Sequence, residues 1–200
     1  MNPFTVKRKA IVAITGVTIV LIYAIFFMNN EVTPFERFFR GSVTLTTPAA
    51  INASDRSEIV IDVVTNNLPN REFPAASLSV SFDNNFIKFV GIRQGNMMVR
   101  GNTIDSFNIP LWHSDVEVAN TNGKINTMYL DMSGGNHPYI IDDENDILLR
   151  FVFRLKDSVS PGEIHHVVIE DVIFAAVDET ESIGNGLGNL LAFNAQIIVK

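Results

Sequence analysis

The stretch ILLRFVFRLK, residues 147–156, decides the fold of this chain. Apolar residues occupy every second position, and three basic residues fall between them. The apolar positions are Ile147, Leu149, Phe151, Phe153 and Leu155, and the basic ones are Arg150, Arg154 and Lys156. Because successive side chains of a β-strand point to opposite faces, this alternation predicts a strand with one buried face.

The same alternation, with a period of two residues, occurs in segments before and after this stretch. Residues 58–65, 77–82 and 191–199 alternate in the same way, and in the second run Ser77, Ser79 and Ser81 are the outward positions. Clusters of Asn, Gly, Pro and Asp separate the runs and are typical of turns. We count about nine strands and no amphipathic helix after residue 41. The pattern predicts an all-β antiparallel sandwich of the jelly-roll or immunoglobulin-like kind.

The N-terminal part of the chain predicts a transmembrane helix. Residues 10–28 contain no charged side chain, and about 20 apolar residues in a helix cross the hydrocarbon core of a bilayer. Lys7, Arg8 and Lys9 precede the run directly, so the positive-inside rule places residues 1–9 in the cytoplasm and the rest outside. The alternative, a cleaved signal peptide, has a shorter apolar core and small residues before the cut, which this run lacks.

The sequence therefore predicts four segments. Residues 1–9 form a basic cytoplasmic tail, residues 10–28 the transmembrane helix, residues 29–41 a juxtamembrane stem and residues 42–200 the β-domain. The stem, EVTPFERFFRG from residue 31, is rich in Phe and Arg. Two interpretations of the stem stay open: it lies in the membrane interface, or its aromatics pack on the domain.

Charge and composition exclude several function classes. The 12 basic and 22 acidic residues beyond residue 28 give a net charge of −10, which disfavours nucleic acid as a partner. The chain has no cysteine, so disulfides, cysteine-based zinc sites and thiol catalysis are excluded. None of the common hydrolase, metalloprotease or nucleotide-binding motifs is present. We therefore expect no enzymatic activity and no required cofactor.

Three polar motifs are candidate sites. Residues 142–146 (DDEND) resemble half of a calcium loop, but Ile147 stands where an EF-hand needs glycine. A solvated turn is favoured there, and weak calcium binding stays an alternative. His165 and His166 are neighbours in a predicted strand, so they cannot bind one metal ion together, and surface or edge positions are expected for both. Residues 184–188 (GNGLG) have the wrong glycine spacing for a dinucleotide fingerprint and predict a flexible loop.

The order of several segments resembles the cohesin domain family over residues 42–200. The stretch SLSVSFDNNFIKFVGIRQG from Ser77 is similar to a cohesin strand that ends in Tyr-Asp-Pro, followed by an apolar pair and a second strand. KINTMYLDMSG from Lys124 resembles the cohesin strand that ends in an acid and Ser-Gly. YIIDDENDILLRFVFRLK from Tyr139 and EDVIFAAVD from Glu170 resemble later segments of the family in the same order.

This resemblance implies a nine-stranded jelly-roll β-sandwich that binds the dockerin module of another protein through one flat sheet face. In the family, such binding gathers polysaccharide-degrading enzymes. By alignment with the family, Trp112 would be an aromatic on the binding face and Asp131 an acid at its edge. The small polar stripe of Ser77, Ser79 and Ser81 suits such a protein-facing surface and equally a solvated one. For Trp112, a core or loop position stays an alternative. Ala75 and Ser77 stand where well-known cohesins have Asn and Asp.

We therefore expect a single-pass membrane protein whose extracytoplasmic cohesin-like module binds a dockerin-type protein, with the lipid bilayer as a second partner through the N-terminal helix. Two alternatives are kept. One is a carbohydrate-binding module, which needs exposed aromatics that stack on the sugar rings of a polysaccharide. The other is a structural subunit of an envelope assembly, because one fold supports many functions.

Overall fold

The computed structural model describes residues 41–48, 50–69, 72–95, 112–131, 139–140 and 147–200. These residues form twelve strands, one short α-helix and one 3₁₀ turn. The elements are β1 (Ser42–Thr46), β2 (Ile59–Asn66), β3 (Glu72–Phe73), β4 (Ala75–Phe82), β5 (Ile87–Gln94), α1 (Val116–Asn122), β6 (Lys124–Leu130), β7 (Tyr139–Ile140), β8 (Ile147–Leu155), β9 (Ile164–Ala175), the 3₁₀ turn Glu179–Glu181, β10 (Ile183–Gly184), β11 (Leu191–Phe193) and β12 (Ala195–Ile198).

Two sheets contain most of these strands. The first sheet has the order β11-β1-β2-β8-β5, and the second has the order β10-β9-β4-β6 with β12 also paired to β9. β3 and β7 form a separate two-stranded ladder. All pairings are antiparallel except that of β1 with β11. The predicted all-β sandwich is confirmed, but the described residues form twelve strands rather than the predicted nine, because β3, β7 and β10 are two-residue strands and the run over 191–199 forms two strands.

The hydrophobic core follows from the alternation read in the sequence. In β2, the residues Ile59, Ile61 and Val63 are buried and their neighbours are half-exposed. The same pattern holds for the even-numbered positions of β4. Phe82 of β4 and Phe153 of β8 meet with ring centroids 5.3 Å apart, so side chains of the two sheets are in direct contact. Burial of one such side chain contributes about 1.5–3 kcal/mol.

The structure differs from the predicted elements at two places. First, α1 was not predicted. Asp115 caps its N-terminus by accepting a hydrogen bond from the Val118 N–H at 2.9 Å, and Gly123 ends it with a φ of 66°. Second, the predicted strand over 191–199 is divided at Asn194. Its first part, β11, joins the first sheet, and its second part, β12, joins the second sheet.

His165 also differs from expectation. It is buried rather than at the surface, its ring stacks on Phe86 with centroids 4.8 Å apart, and its Nε2 lies 3.2 Å from Glu163 Oε2. His166 is exposed, so the two rings do point to opposite sides of the strand.

The predicted tail, transmembrane helix and most of the stem (residues 1–40) and the acidic turn at 142–146 lie outside the described residues. Within the described ranges, no helix combines the length and apolar character needed to span a bilayer.

Candidate functional site

The outer face of the second sheet is the candidate site. We call it the β4 face and define it by the outward side chains of β4 and β6 and by those of β9 from Val168 onward. They are Ala75, Ser77, Ser79, Ser81, Lys124, Asn126, Met128, Leu130, Val168, Glu170, Asp171, Ile173 and Ala175. The strand register sorts them into rows with a β4 residue in the middle of each. Because every central side chain is Ala or Ser, a partner can approach close to the sheet.

One end of the β4 face is apolar. Leu130 and Ala175 flank Ala75, and Met128 and Ile173 flank Ser77. Met128 is 58% exposed and Leu130 is 44% exposed. Exposed apolar side chains that cluster on a flat surface mark a site of protein association more often than singly scattered ones.

The middle of the β4 face is polar. Ser79 lies between Asn126 and Asp171, and its hydroxyl donates a hydrogen bond to Asn126 Oδ1 at 2.8 Å. An open groove of about 460 Å³ runs beside this row. Its walls come from Ser77, Ser79, Asn126, Thr127 and Met128 and from His113, Ser114 and Asp115 in the segment before α1.

The other end of the β4 face is charged. Glu170 is the extra residue of a bulge in β9 opposite β4, and its carboxylate forms an ion pair with Lys124 Nζ. The hydrogen bond from Lys124 holds the pKa of the Glu170 carboxyl below its ordinary value. The bulge itself is held by Asn185, whose Oδ1 accepts from the Val172 N–H at 2.9 Å and whose Nδ2 donates to the Glu170 C=O at 3.2 Å.

Helix α1 fixes the segment that forms the far wall of the groove. Asn120 donates from Nδ2 to the Phe89 C=O at 2.8 Å and accepts at Oδ1 from the Phe89 N–H at 2.9 Å. The Asn120 side chain thus bonds to both backbone groups of Phe89, as a neighbouring strand would. It holds α1 against β5. His113 forms a bridge with Met128 of β6, which positions the exposed imidazole at the groove.

The comparison with known families gives a match that covers most of the chain. A sequence model of the cohesin domain matches residues 43–189. This chain belongs to the cohesin family. A search of curated protein sequences found none that matches it.

Solved cohesins share the fold at low sequence identity. The third cohesin of ScaC from Acetivibrio cellulolyticus, solved with the ScaB dockerin, aligns with a TM-score of 0.57 and 17% identity over 80% of this chain and 98% of that one. The cohesin of OlpA from Clostridium thermocellum, solved with a dockerin, gives 0.56 and 15% over 80% and 99%. The type III cohesin of the cell-surface anchoring scaffoldin ScaE from Ruminococcus flavefaciens gives 0.51 and 12% over 86% and 93%.

The predicted site residues of this cohesin fall into two groups. Ser77, Ser79 and Ser81 face outward on β4, as the alternation predicted. Trp112 does not present an exposed aromatic: it is 2% exposed and lies in the core against Tyr129, with ring centroids 6.1 Å apart. Asp131 is buried just after β6, and its backbone N–H donates to the Pro74 C=O at 2.8 Å. Burial removes both side chains from the surface that a partner meets.

Several residues of the β4 face were not singled out from the sequence, although a signal for them was present. In residues 124–130 of this cohesin, Ile125, Thr127 and Tyr129 are buried and the alternate residues are outward. The alternation alone would have assigned Asn126, Met128 and Leu130 to the outer face. The ion pair of Lys124 with Glu170 has no such signal, because it depends on the register of two distant strands.

The structure offers no evident metal site in its described ranges, where no three His, Asp or Glu side chains converge as ligands. The acidic turn at residues 142–146, the one calcium alternative, is outside those ranges.

Proposed function

We propose that this chain is a membrane-anchored cohesin module that binds a dockerin-type protein outside the cell through the β4 face. The observation that supports this most is the pair of exposed side chains Met128 and Leu130 beside a strand of small residues. This surface can bury apolar area against a flat or helical partner, with hydrogen-bonding groups of Ser79 and Asn126 next to it. The related cohesins of ScaC and OlpA were solved with dockerins, which supports the partner class.

The partner is tested by affinity capture. The full-length chain, held in phosphatidylcholine nanodiscs, is exposed to the secreted proteins of its source organism with calcium or with EDTA. We expect retention of a protein that contains duplicated calcium-loop segments, and loss of that protein in EDTA. If no such protein is retained in either condition, the dockerin proposal is wrong.

The face is tested by a pair of matched variants. Because truncation of a central apolar contact typically costs 2 kcal/mol or more, Met128→Asp should weaken the binding of the captured protein by about 30-fold or more. Val118→Asp is the control. Val118 is 50% exposed on α1, outside the residues that define the β4 face or line the groove. Equal losses in both variants would exclude the β4 face as the binding surface.

The anchor and its orientation are a second part of the proposal. They are supported by the uncharged run at residues 10–28 and by the three basic residues before it. The chain has no cysteine, so single cysteines report accessibility cleanly. In intact cells, a membrane-impermeant maleimide should label Ser54→Cys and leave Asn2→Cys unlabelled until the membrane is permeabilised. Labelling of position 2 in intact cells would contradict the orientation.

On the β4 face, the described residues give no support to the carbohydrate-binding alternative. Trp112 and Tyr129 are both buried, and the outward residues of β4, β6 and β9 described above include no aromatic side chain that could stack on a sugar ring. The structural-subunit alternative likewise has no specific support.

A further inference from the structure

An uncharged flank lies where the chain enters the β-domain. Residues 41–54 and 182–199 contain no Asp, Glu, Lys or Arg, and they are the two longest such stretches after residue 28. β1 lies in the first stretch and β11 in the second, and these two strands pair in parallel. The fold therefore joins the two uncharged stretches along one edge of the first sheet, in a chain whose residues after 28 carry a net charge of −10.

Apolar side chains project from this flank. Leu191 is 42% exposed and Phe193 is 50% exposed. They lie two residues apart on β11, so they share a face of the strand, beside Ser42 and Thr44 of β1. Leu187, in the loop between β10 and β11, is 56% exposed. Three large apolar residues are thus presented to the surroundings with no charged residue in their own segment.

The loop that presents Leu187 is held by side-chain hydrogen bonds. Asn189 Oδ1 accepts from the Gly184 N–H at 2.8 Å, and its Nδ2 donates to the Ser182 C=O at 3.0 Å. Asn185 ties the start of the loop to β9. These bonds fix a segment that was predicted to be flexible, and they keep Leu187 outward.

The position of the flank along the chain points to its occupant. The Leu191 N–H donates to the Gly41 C=O at 3.0 Å, so β11 sits at the residue where the chain arrives from the proposed anchor. Residues 29–40 are the connection, and twelve residues span at most about 40 Å. A tether of this length keeps the flank at a high effective concentration near the bilayer. Leu and Phe side chains without nearby charge partition into the membrane interface.

We infer that the flank formed by Leu187, Leu191 and Phe193 docks on the neutral lipid surface next to the anchor. This inference rests on the anchor in the proposed function. The docking leaves the β4 face, which belongs to the other sheet, for the protein partner.

The test uses the full-length chain in dioleoylphosphatidylcholine vesicles, with one cysteine that bears a bimane label. Leu191→Cys is compared with Leu130→Cys, because these two leucines are 42% and 44% exposed. Phe193→Cys is compared with Val118→Cys, because both native side chains are 50% exposed. Nitroxide-bearing lipid should quench the labels at 191 and 193 at least about twofold more than those at 130 and 118, and iodide should show the reverse.

Each result of this experiment either supports or overturns the docking. Equal quenching by lipid at 191 and 130, in chains that float with the vesicles, overturns the docking and leaves the anchor intact. Chains that do not float overturn the anchor and the docking together. Shielding from iodide at 191 without quenching by lipid indicates that the stem or a second copy of the chain covers the flank, and it also overturns the docking. An equal effect in vesicles with and without phosphatidylglycerol supports an uncharged contact, whereas quenching only with phosphatidylglycerol overturns it.

Discussion

Four phenylalanines form an aromatic cluster in the core between the two sheets. Phe153 of β8 lies 5.3 Å from Phe82 of β4 and 5.6 Å from Phe89 of β5, measured between ring centroids. Phe151 completes the group at 6.2 Å from Phe89. These separations are those of attractive edge-to-face and tilted ring pairs. A truncation within this cluster therefore removes packing that both sheets share.

We expect Phe153→Ala to lower the free energy of unfolding by about 3–5 kcal/mol, because it removes buried area and leaves a cavity. Phe193→Ala, at an exposed position of β11, should change it by less than about 0.5 kcal/mol. Urea unfolding of the detergent-solubilised chain measures both values. The fluorescence of Trp112, the single tryptophan, is the signal, because its ring is buried. Equal effects of the two variants would contradict the assignment of Phe153 to the core.

The ion pair of Lys124 with Glu170 gives a pH prediction. Lys124 lowers the pKa of the Glu170 carboxyl, so ionised Glu170 stabilises the fold above its ordinary pKa of about 4.3. That contribution is lost as the pH falls through the lower folded-state pKa. The two side chains are 41% and 40% exposed, so the contribution stays under about 1 kcal/mol.

We expect Lys124→Met to raise the pKa of Glu170 toward its ordinary value, as measured by carbon NMR of the carboxyl group. The pKa of Asp178, which Thr180 lowers, should not move in the same variant. A Glu170 pKa that is unchanged by the substitution would mean that Lys124 does not pair with it in solution.

Residue-level predictions from the sequence succeeded where they depended on alternation alone. Ser77, Ser79 and Ser81 face outward because β4 alternates without interruption opposite β6. Trp112 was misplaced because it lies outside any alternating run, so nothing in its neighbours indicates which way the ring points. Its burial depends on Tyr129 of β6, a contact that only the fold supplies.

Asparagine side chains form backbone hydrogen bonds that a neighbouring strand would otherwise form. Asn120 pairs with both backbone groups of Phe89. Asn194 accepts from the Ile169 N–H at 2.9 Å at the point where the chain passes from β11 to β12. At the bulge of β9, Asn185 accepts a hydrogen bond from the Val172 N–H. An amide side chain suits this role because it both donates and accepts.

We expect Asn120→Ala to destabilise the fold by about 2–3 kcal/mol, because the substitution leaves the Phe89 N–H and C=O without their partner. Asn122→Ala is the control, since this residue is exposed in the same helix, and it should change stability by less than about 0.5 kcal/mol. Hydrogen exchange of the Phe89 amide should accelerate in the first variant alone. A protected Phe89 amide in Asn120→Ala would refute the pairing.

Helix α1 shows why some elements escape prediction. Its seven residues, VEVANTN, include two β-branched valines and no apolar period, so local propensity gives no helical signal. The helix exists because Asp115 caps it, Gly123 ends it and Asn120 attaches it to β5. The strands, in contrast, were predictable because their burial pattern is local to each segment.

Residues 191–200 contribute the final strand to each of the two sheets. β11 pairs with β1 in the first sheet, and β12 pairs with β9 in the second. The Ile51 N–H donates to the Ile198 C=O at 2.8 Å, and the Lys200 N–H donates to the Ile51 C=O at 2.8 Å. The C-terminal segment is therefore bound to the beginning of the domain as well as to its longest strand.

We expect deletion of residues 191–200 to abolish the cooperative unfolding transition followed by Trp112 fluorescence, because both sheets lose a strand and core residues such as Val43 become exposed. Lys200→Ala keeps the backbone bonds and should leave the transition within about 0.5 kcal/mol of the parent chain. A deletion variant that still unfolds cooperatively would show that the first ten strands suffice.

The closing role of β11 and β12 constrains how the protein is made. A ribosome adds about 5–20 residues per second, and β11 and β12 are made after every other strand of the two sheets. Until these two strands leave the ribosome, the nascent domain exposes one edge of β1 and the apolar residues beneath it. The domain therefore cannot close before its final strands emerge, and this interval is when a chaperone has the most to protect.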